Sequence, residues 1–354
     1  RYAVRYFESA HRNYADGVEG STTAAERVRL LAQSDISLGD NQLSLALEHE
    51  DTDFQQRGLT AFGDPNQDQN MTVSSAVAEY QHLSHDRLTW ILGARFDKHS
   101  DFDDALTARG SLAWQWTENT RLRASIGSGH KTPTFIERFG FFPEQFVGNP
   151  DLKPETSISY DIGLDQEFLD GALTLQASLY AQELEDEING FVFDPVTYLA
   201  TAENRDGKSE RSGAELAANW RLSSQISTAL SYTYTDAKED DPSGNKIREL
   251  RRPRHSGSVS FAYTSGNERF TAALAADYGG TREDIFFPPW PDPSETVTLS
   301  DYWLVDLTAN MQLTDNVTLF VRGTNLLDED YEQVYGFRTL GRAGYVGIRA
   351  GFGR

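Results

Sequence analysis

The sequence of 354 residues contains no cysteine, only two methionines, and fewer basic than acidic side chains. Without cysteine the chain forms no disulfide and offers no thiolate ligand to a metal ion. With 32 basic against 54 acidic residues its formal charge is −22. This charge argues against a nucleic-acid partner, which requires a basic surface. No stretch approaches the roughly 18 consecutive apolar residues of a membrane-spanning helix.

Apolar and polar side chains instead alternate with a period of two, which is typical of strands with two unlike faces. Leu175 and Leu179, for example, alternate with Gln176 and Ser178. About sixteen such segments follow one another, most of them about 9 to 14 residues long. This length suits a tilted strand that crosses a bilayer, and it exceeds the roughly 5–6 residues of ordinary strands. The pattern predicts an all-β fold, a transmembrane antiparallel β-barrel.

The connections between these segments differ in length according to the end of the barrel on which they lie. Short polar turns are predicted at 39–41, 85–86, 118–119, 170–171, 223–224, 265–267 and 314–316. The intervening connections are mostly long, at 10–23, 56–69, 129–154, 185–207, 237–253, 279–298 and 324–340, with 98–104 as a short member. Short periplasmic turns and long external loops are typical of bacterial outer-membrane barrels. Because an open sheet edge is costly in lipid, either the sixteen strands close on themselves or more strands precede Arg1.

Three segments resemble TonB-dependent receptors. The first contains Lys131, Pro133, Phe135 and Glu137 and leads into the motif Gly148-Asn149-Pro150-Asp151-Leu152-Lys153-Pro154-Glu155. The second is Gly323-Thr324-Asn325-Leu326-Leu327-Asp328, followed by Tyr331. The third is Gly341-Arg342, which opens the terminal strand. They are similar to the family's elements in type and in order, and the branch they resemble contains cobalamin and siderophore receptors.

The resemblance implies a 22-stranded barrel that is occluded by an N-terminal plug. Residues 1–354 would then be the C-terminal part of the barrel, with the plug and about six early strands absent from this chain. It further implies active uptake across the outer membrane of a scarce, bulky solute, energised by the TonB–ExbB–ExbD complex. Cobalamin, ferric siderophores, other metal chelates and oligosaccharides are the candidate solutes. The expected partners are the protein's own plug, TonB, lipopolysaccharide with outer-membrane lipid, and the solute.

Charged side chains on the polar face of the strands are expected to line a wet lumen, because charge on the lipid face costs about 2–4 kcal/mol near the bilayer centre. We predict that this set contacts the plug: Arg95, Arg109, Arg123, Asp161, Glu215, Asp306, Arg322 and Arg349.

Aromatic residues in three of the long loops are the candidate ligand-binding residues, because exposed apolar groups at a mouth suit a large amphipathic ligand. Packing within the loops explains them about equally well. The candidates are Phe141, Phe142, Tyr198, Phe286, Phe287 and Trp290, with Phe146, Phe191 and Phe193 nearby.

Other charge clusters give weaker indications. The acidic groups at 101–104, 239–241 and 328–330 offer hard oxygen ligands for Ca²⁺, although solvation of a loop explains them better. The basic run 248–254 suits lipopolysaccharide phosphates or an anionic ligand, and solvated loop charge explains it equally well. No cofactor and no metal site is predicted. No catalytic motif is found, so we expect no enzyme activity and no catalytic residues.

Two other classes of function stay open. A passive sixteen-stranded porin would have a signal peptide directly before the first strand, whereas a receptor would have a plug and further strands there. An outer-membrane adhesin or barrel enzyme is the other alternative, which the lack of any Ser/His/Asp spacing disfavours.

Overall fold

The computed structural model describes residues 1–60, 63–83, 87–141, 145–193, 199–241, 243–289 and 291–351. One short helix, α1, spans Phe135–Phe139. The strands are β1 (Tyr2–Ala15), β2 (Val18–Leu38), β3 (Asn41–Gly58), β4 (Gln67–Leu83), β5 (Leu88–His99), β6 (Ala105–Thr117), β7 (Thr120–Lys131), β8 (Glu155–Phe168), β9 (Leu173–Glu185), β10 (Ile188–Phe193), β11 (Ala200–Asn204), β12 (Lys208–Arg221), β13 (Ile226–Asp240), β14 (Lys246–Arg248), β15 (His255–Thr264), β16 (Phe270–Gly279), β17 (Arg282–Phe286), β18 (Glu295–Leu299), β19 (Tyr302–Thr314), β20 (Val317–Thr324) and β21 (Ala343–Ala350).

Seventeen of these strands form one antiparallel sheet. The three-residue β14 only extends the end of β13, which leaves the sixteen wall strands that the sequence predicts. They pair in chain order from β1 to β9, then through β12, β13, β15, β16, β19, β20 and β21. The sheet is the wall of an all-β antiparallel barrel. Among the described residues no ladder joins β1 to β21, so closure through a total of 22 strands stays a prediction.

The cross-strand register places apolar side chains on one face of this wall. Leu179 lies opposite Ile162 on one side and Ala214 on the other, and farther along Leu274 lies opposite Leu307. These side chains are not covered by a second layer, since Leu179 is 60% exposed and Ile162 is 58% exposed. Within the described chain the buried apolar set is small, and much of it lies at one end of the wall: Phe54, Ala105, Leu152, Ala200, Ala202, Ala237 and Leu299. A wall with two exposed faces excludes a sandwich, whose apolar side chains would be buried between two sheets.

We name the two ends of the wall by their connections. The turn end carries the short turns that lead into β3, β7, β9, β13, β16 and β20, and the loop end carries the other connections, most of them longer. The turn predicted at 85–86 lies outside the described residues. The sequence prediction of a loop at 10–23 is wrong. There β1 and β2 continue to a two-residue turn at Asp16-Gly17, in which both residues have positive φ, 52° and 78°. Paired positive φ angles are the geometry of a tight hairpin turn.

Strands β1 to β4 extend beyond their neighbours at the loop end. β2 has 21 residues and β3 has 18, and the β3–β4 ladder continues to Gln56 opposite Gln67. The β4–β5 ladder, in contrast, stops at Val73 opposite His99. This tall part of the wall supports the loop segments described below. No helix among the described residues is long and apolar enough to cross a membrane.

Candidate functional site at the loop end

The connection between β7 and β8, residues 132–154, begins with α1 and packs against the tall part of the wall. Thr134 caps α1 by accepting a hydrogen bond from the Glu137 backbone N–H at 3.2 Å, and the Glu137 carboxylate accepts one from the Thr134 N–H at 2.7 Å. This reciprocal pair is a capping box, which fixes the start of the helix. The Phe135 ring then stacks on Phe54 of β3, with 5.3 Å between ring centroids.

Two glutamine side chains of the wall hold the end of this helix. Gln56, which is 1% exposed, donates from Nε2 to the Phe141 carbonyl oxygen at 2.6 Å. Gln67 donates in the same way to the Gly140 carbonyl oxygen at 3.0 Å. These two hydrogen bonds from the wall to backbone carbonyls fix the segment against the wall.

The second half of the same connection pairs with the hairpin β10–β11. The Val147 N–H donates to the Ala200 carbonyl at 2.8 Å, and Asn149 Nδ2 donates to the Ala202 carbonyl at 3.0 Å. This contact brings Phe146 onto Phe191, with ring centroids 6.1 Å apart.

Phe191 in turn meets Phe193 edge to face at 5.4 Å. Phe191 and Phe193 remain 61% and 67% exposed. We call Phe146, Phe191 and Phe193 the aromatic cluster. It presents apolar rings to solvent on a hairpin that is itself fixed by hydrogen bonds.

An ion-pair cluster joins the start of this hairpin to the connection between β13 and β15. Arg211 of β12 contacts Glu249 with Nε at 2.7 Å and Glu187 with Nη2 at 3.2 Å. The Glu249 side chain is only 7% exposed. A buried carboxylate is stable only with partners that compensate for its lost hydration, so Arg211 holds both segments in place.

The hairpin β17–β18 is fixed by the buried Asp284. This side chain has no exposed surface, and it accepts from Arg251 Nε at 2.8 Å and from the Tyr335 N–H at 2.8 Å. Burial by itself raises the pKa of Asp284. The backbone N–H groups of Tyr335 and Ile285 and the Arg251 guanidinium outweigh that effect, so the pKa lies below its ordinary value of 3.8. The carboxylate therefore ties two connections to the hairpin.

Of the six predicted ligand-binding residues, three lie in the described chain. Phe286 packs on Tyr335 with 5.1 Å between ring centroids, and Phe287 is 71% exposed. The Phe141 carbonyl oxygen accepts the hydrogen bond from Gln56. Phe142, Tyr198 and Trp290 lie outside the described residues. The residues that fix the site, such as Arg211 and Asp284, were missed because nothing in the local sequence marks their distant partners.

The predicted lumen charges lie on the face opposite the apolar one, and most of them have partners within the wall. Arg95 pairs with Glu48 at 3.0 Å and with Asp97 at 2.8 Å. The other contacts are Arg109 with Glu79, Arg123 with Asp165 at 3.2 Å, Asp161 with the Ser125 hydroxyl, Glu215 with the Ser178 hydroxyl at 3.3 Å, Asp306 with the Asn325 N–H at 2.9 Å, and Arg349 over the Phe320 ring at 6.0 Å. Arg322 lies between Thr308 and Tyr345 in the register. Their contact with a plug stays a prediction.

Carboxylates of the acidic groups also have protein partners. Asp101 pairs with Arg138 at 3.4 Å, and Asp328 accepts from the Arg342 N–H at 2.9 Å. Within the described ranges no three His, Asp or Glu side chains are grouped closely enough to hold a metal ion. Calcium binding at these loops stays a prediction.

The basic run is likewise balanced by carboxylates on neighbouring elements. Its ion pairs are Arg248 with Glu283 at 3.9 Å, Arg251 with Asp284 at 2.8 Å, Arg252 with Glu249 at 3.5 Å and Arg254 with Asp236 at 3.5 Å.

Several solved structures have the same architecture at low sequence identity. The siderophore receptor PirA from Acinetobacter baumannii superposes with a TM-score of 0.77 at 17% identity, covering 99% of this chain and 59% of that one. A ferric enterobactin receptor variant from Pseudomonas aeruginosa, in complex with enterobactin, gives 0.77 at 16% identity, with 99% and 59% covered. The FrpB iron transporter from Neisseria meningitidis gives 0.77 at 14% identity, with 99% and 61% covered. These similarities establish the fold, and the chain spans about three-fifths of the length of these proteins.

The family model described as TonB dependent receptor-like, beta-barrel matches residues 2–326. That match covers most of the wall and the connections that carry the aromatic cluster. This chain therefore belongs to the TonB-dependent receptor β-barrel family.

Proposed function

We propose that this chain is the C-terminal barrel portion of an outer-membrane transporter that takes up a bulky chelate with energy delivered through TonB. One combined observation carries the proposal. The outer face of the wall is apolar, and the loop end carries exposed aromatic rings on segments that hydrogen bonds hold in place. Hydrocarbon on the outside accounts for exposed side chains such as Leu179, because in water so large an apolar band would be a liability. The fixed loops account for a binding mouth that needs little ordering when a ligand arrives.

The related proteins support a ferric siderophore or similar metal chelate as the solute. The neighbours include a siderophore receptor, a ferric enterobactin receptor and a copper transporter. Exposed rings such as Phe191 and Phe193 suit the flat apolar parts of such ligands. Cobalamin remains a second candidate, supported only by the sequence motifs.

The proposed mechanism requires no covalent chemistry in this chain. Ligand binds at the loop end, and TonB favours a second arrangement of the plug that opens a path through the barrel. TonB does so only by binding one plug state better than the other. Ion pairs such as Arg95–Glu48 keep the wall rigid while the plug moves.

Uptake of radiolabelled iron, supplied as ferric enterobactin, ferric pyoverdine or ferric citrate, tests this function in cells that produce the full-length protein. We expect accumulation of one chelate with TonB and none without it. Accumulation that is equal without TonB would support the passive porin instead. An absence of uptake for every iron chelate, together with TonB-dependent uptake of labelled cobalamin, would overturn the choice of solute.

The aromatic cluster is tested by Phe191→Ala in the same assay. We expect apparent affinity for the transported chelate to fall at least about tenfold, as for loss of a central aromatic anchor. Glu203→Gln on the neighbouring strand β11 is the matched control and should leave uptake unchanged. If both variants take up the chelate like the unmodified protein, the aromatic cluster is not part of the binding site.

A further inference from the structure

Two histidines meet at the loop end where one wall strand begins late. His99 ends β5 and His130 is the next-to-last residue of β7, with β6 between these strands along most of their length. β6 begins at Ala105, which lies opposite Asp97, so His99 extends two residues beyond the β5–β6 ladder. The two imidazole rings lie beside each other, with centroids 5.3 Å apart and planes inclined by 35°.

The ring nitrogens of His99 are unusual among the described atoms. Both Nδ1 and Nε2 are buried and have no hydrogen-bond partner. Buried polar atoms in folded proteins nearly always have a partner, and where the protein supplies none the partner is an ordered water or an ion. A buried imidazole whose nitrogens have no protein partner is therefore a candidate ligand for an ion.

The separation of the rings suits a shared metal ion. Imidazole nitrogens bind Zn²⁺ at about 2.0–2.1 Å, and two rings in tetrahedral arrangement around one ion have centroids about 5 Å apart. Neutral imidazole is a preferred ligand of Zn²⁺, Cu²⁺ and Ni²⁺. The observed 5.3 Å between the centroids is close to this separation.

We propose that His99 and His130 together bind a divalent transition-metal ion, Cu²⁺ or Zn²⁺, whose remaining positions are filled by water. Within the described ranges no group of three His, Asp or Glu side chains surrounds this position, so water completes the shell in this proposal. His130 also lines a cavity of about 770 Å³ whose wall carries Asp101, Asp103 and Asp104. These carboxylates favour the entry of a hydrated cation, whereas the Arg138 guanidinium beside Asp101 opposes it.

A metal at this position has a structural consequence. It joins the loop-end tips of β5 and β7, the two strands that flank β6. The Thr134 cap of α1 follows His130 after only three residues. Metal binding therefore fixes the base of the segment 132–154, whose far half carries Phe146 of the aromatic cluster.

Metal binding to the full-length protein, purified in detergent without a histidine tag and freed of metal by EDTA, tests the proposal. Cu²⁺ is titrated calorimetrically, and the bound ion is examined by electron paramagnetic resonance. We expect one equivalent to bind, with hyperfine structure from two imidazole nitrogens. In His99→Gln and His130→Gln the affinity should fall by at least about 10- to 100-fold, the cost of losing even an outer-shell partner of a metal site.

His49→Gln is the matched control, because His49 lies on β3 and pairs with the Ser74 hydroxyl at 3.0 Å. It should bind Cu²⁺ like the unmodified protein. The proposal is overturned if the variant that carries both His99→Gln and His130→Gln binds Cu²⁺ with unchanged affinity. It is also overturned if the spectrum of the unmodified protein shows no coupling to two imidazole nitrogens. In either case water is the partner of His99. The assay measures binding and not uptake, so its failure leaves the proposed transport function untouched.

Discussion

At the scale of single residues, the facing of the wall side chains follows from the strand period alone. Leu179 and Ser178 are neighbours in β9, yet they point to opposite faces of the sheet. The register agrees with the sequence pattern, since Leu179 lies opposite Ile162 and Ser178 lies opposite Glu215. These facings are predictable because alternation is a local property of the chain.

Arginine substitutions at these two positions should have unequal effects. Leu179→Arg places a charge toward hydrocarbon and should cost about 2–4 kcal/mol, whereas Ser178→Arg faces the lumen beside Glu215 and should cost little. The measurement is the yield of folded full-length barrel in outer membranes, read from its heat-modifiable band on gels. Equal losses for both variants would contradict the assigned faces.

The contacts that fix the loop end, in contrast, were not predictable. Asp284 meets Arg251 and Tyr335, which are far from it in the chain. Composition shows only that the region is charged, and the choice of partners depends on how distant connections fold together. The sequence shows that these loops are rich in aromatic residues, but the meeting of Phe146 with Phe191 depends on a pairing that no local pattern indicates.

At the scale of elements, the sequence predicts the wall strands better than the structure within the loops. Two connections predicted as long loops contain hairpins, β10–β11 and β17–β18, whose strands have only five or six residues. Strands this short show too few alternations to be recognised. Their stability comes from side chains on neighbouring connections, which is tertiary and not local.

The attachment of β17–β18 should depend on acidity. Because the pKa of Asp284 is lowered on folding, the carboxylate stabilises the hairpin above its ordinary pKa of 3.8, and this contribution is lost as the pH falls through the lower folded value. Amide hydrogen exchange across residues 282–287, corrected for intrinsic rates, should therefore accelerate below about pH 4. Asp284→Asn should exchange fast already at neutral pH, and Glu283→Gln should behave like the unmodified protein. Acid-insensitive exchange in the unmodified protein would contradict this role.

The packing of α1 against the segment after it depends on the absence of a side chain at Gly148. A Cβ there would lie 2.3 Å from the backbone nitrogens of Phe139 and Gly140, a contact that forces the backbone apart. Gly148→Ala should break the hydrogen bond from the Asn149 N–H to the Glu137 carbonyl and speed cleavage by trypsin at Arg138. Gly344→Ala, where a Cβ meets nothing within 4 Å, is the control. Unchanged cleavage in Gly148→Ala would show that the segment is not held as described.

At the scale of the whole molecule, the proposed transport agrees with the family to which the chain belongs and with the two unlike faces of its wall. A barrel wall with hydrocarbon outside and water inside needs no buried core, which explains why so few apolar side chains are buried. The sequence predicts this architecture because the alternation recurs in every wall strand. It does not predict how the loop end folds, which is where the proposed solute binding takes place.

Labelling of strand β9 tests this account most directly, because the chain has no cysteine of its own. Single cysteines are placed from Leu175 to Ala181 in the full-length protein, spin-labelled, and measured in bilayers for collision with oxygen and with a water-soluble nickel complex. We expect Leu175, Ala177, Leu179 and Ala181 to favour oxygen and Gln176, Ser178 and Tyr180 to favour the nickel complex. A profile without a period of two, or with both sets equally accessible to the nickel complex, would contradict a wall between lipid and water.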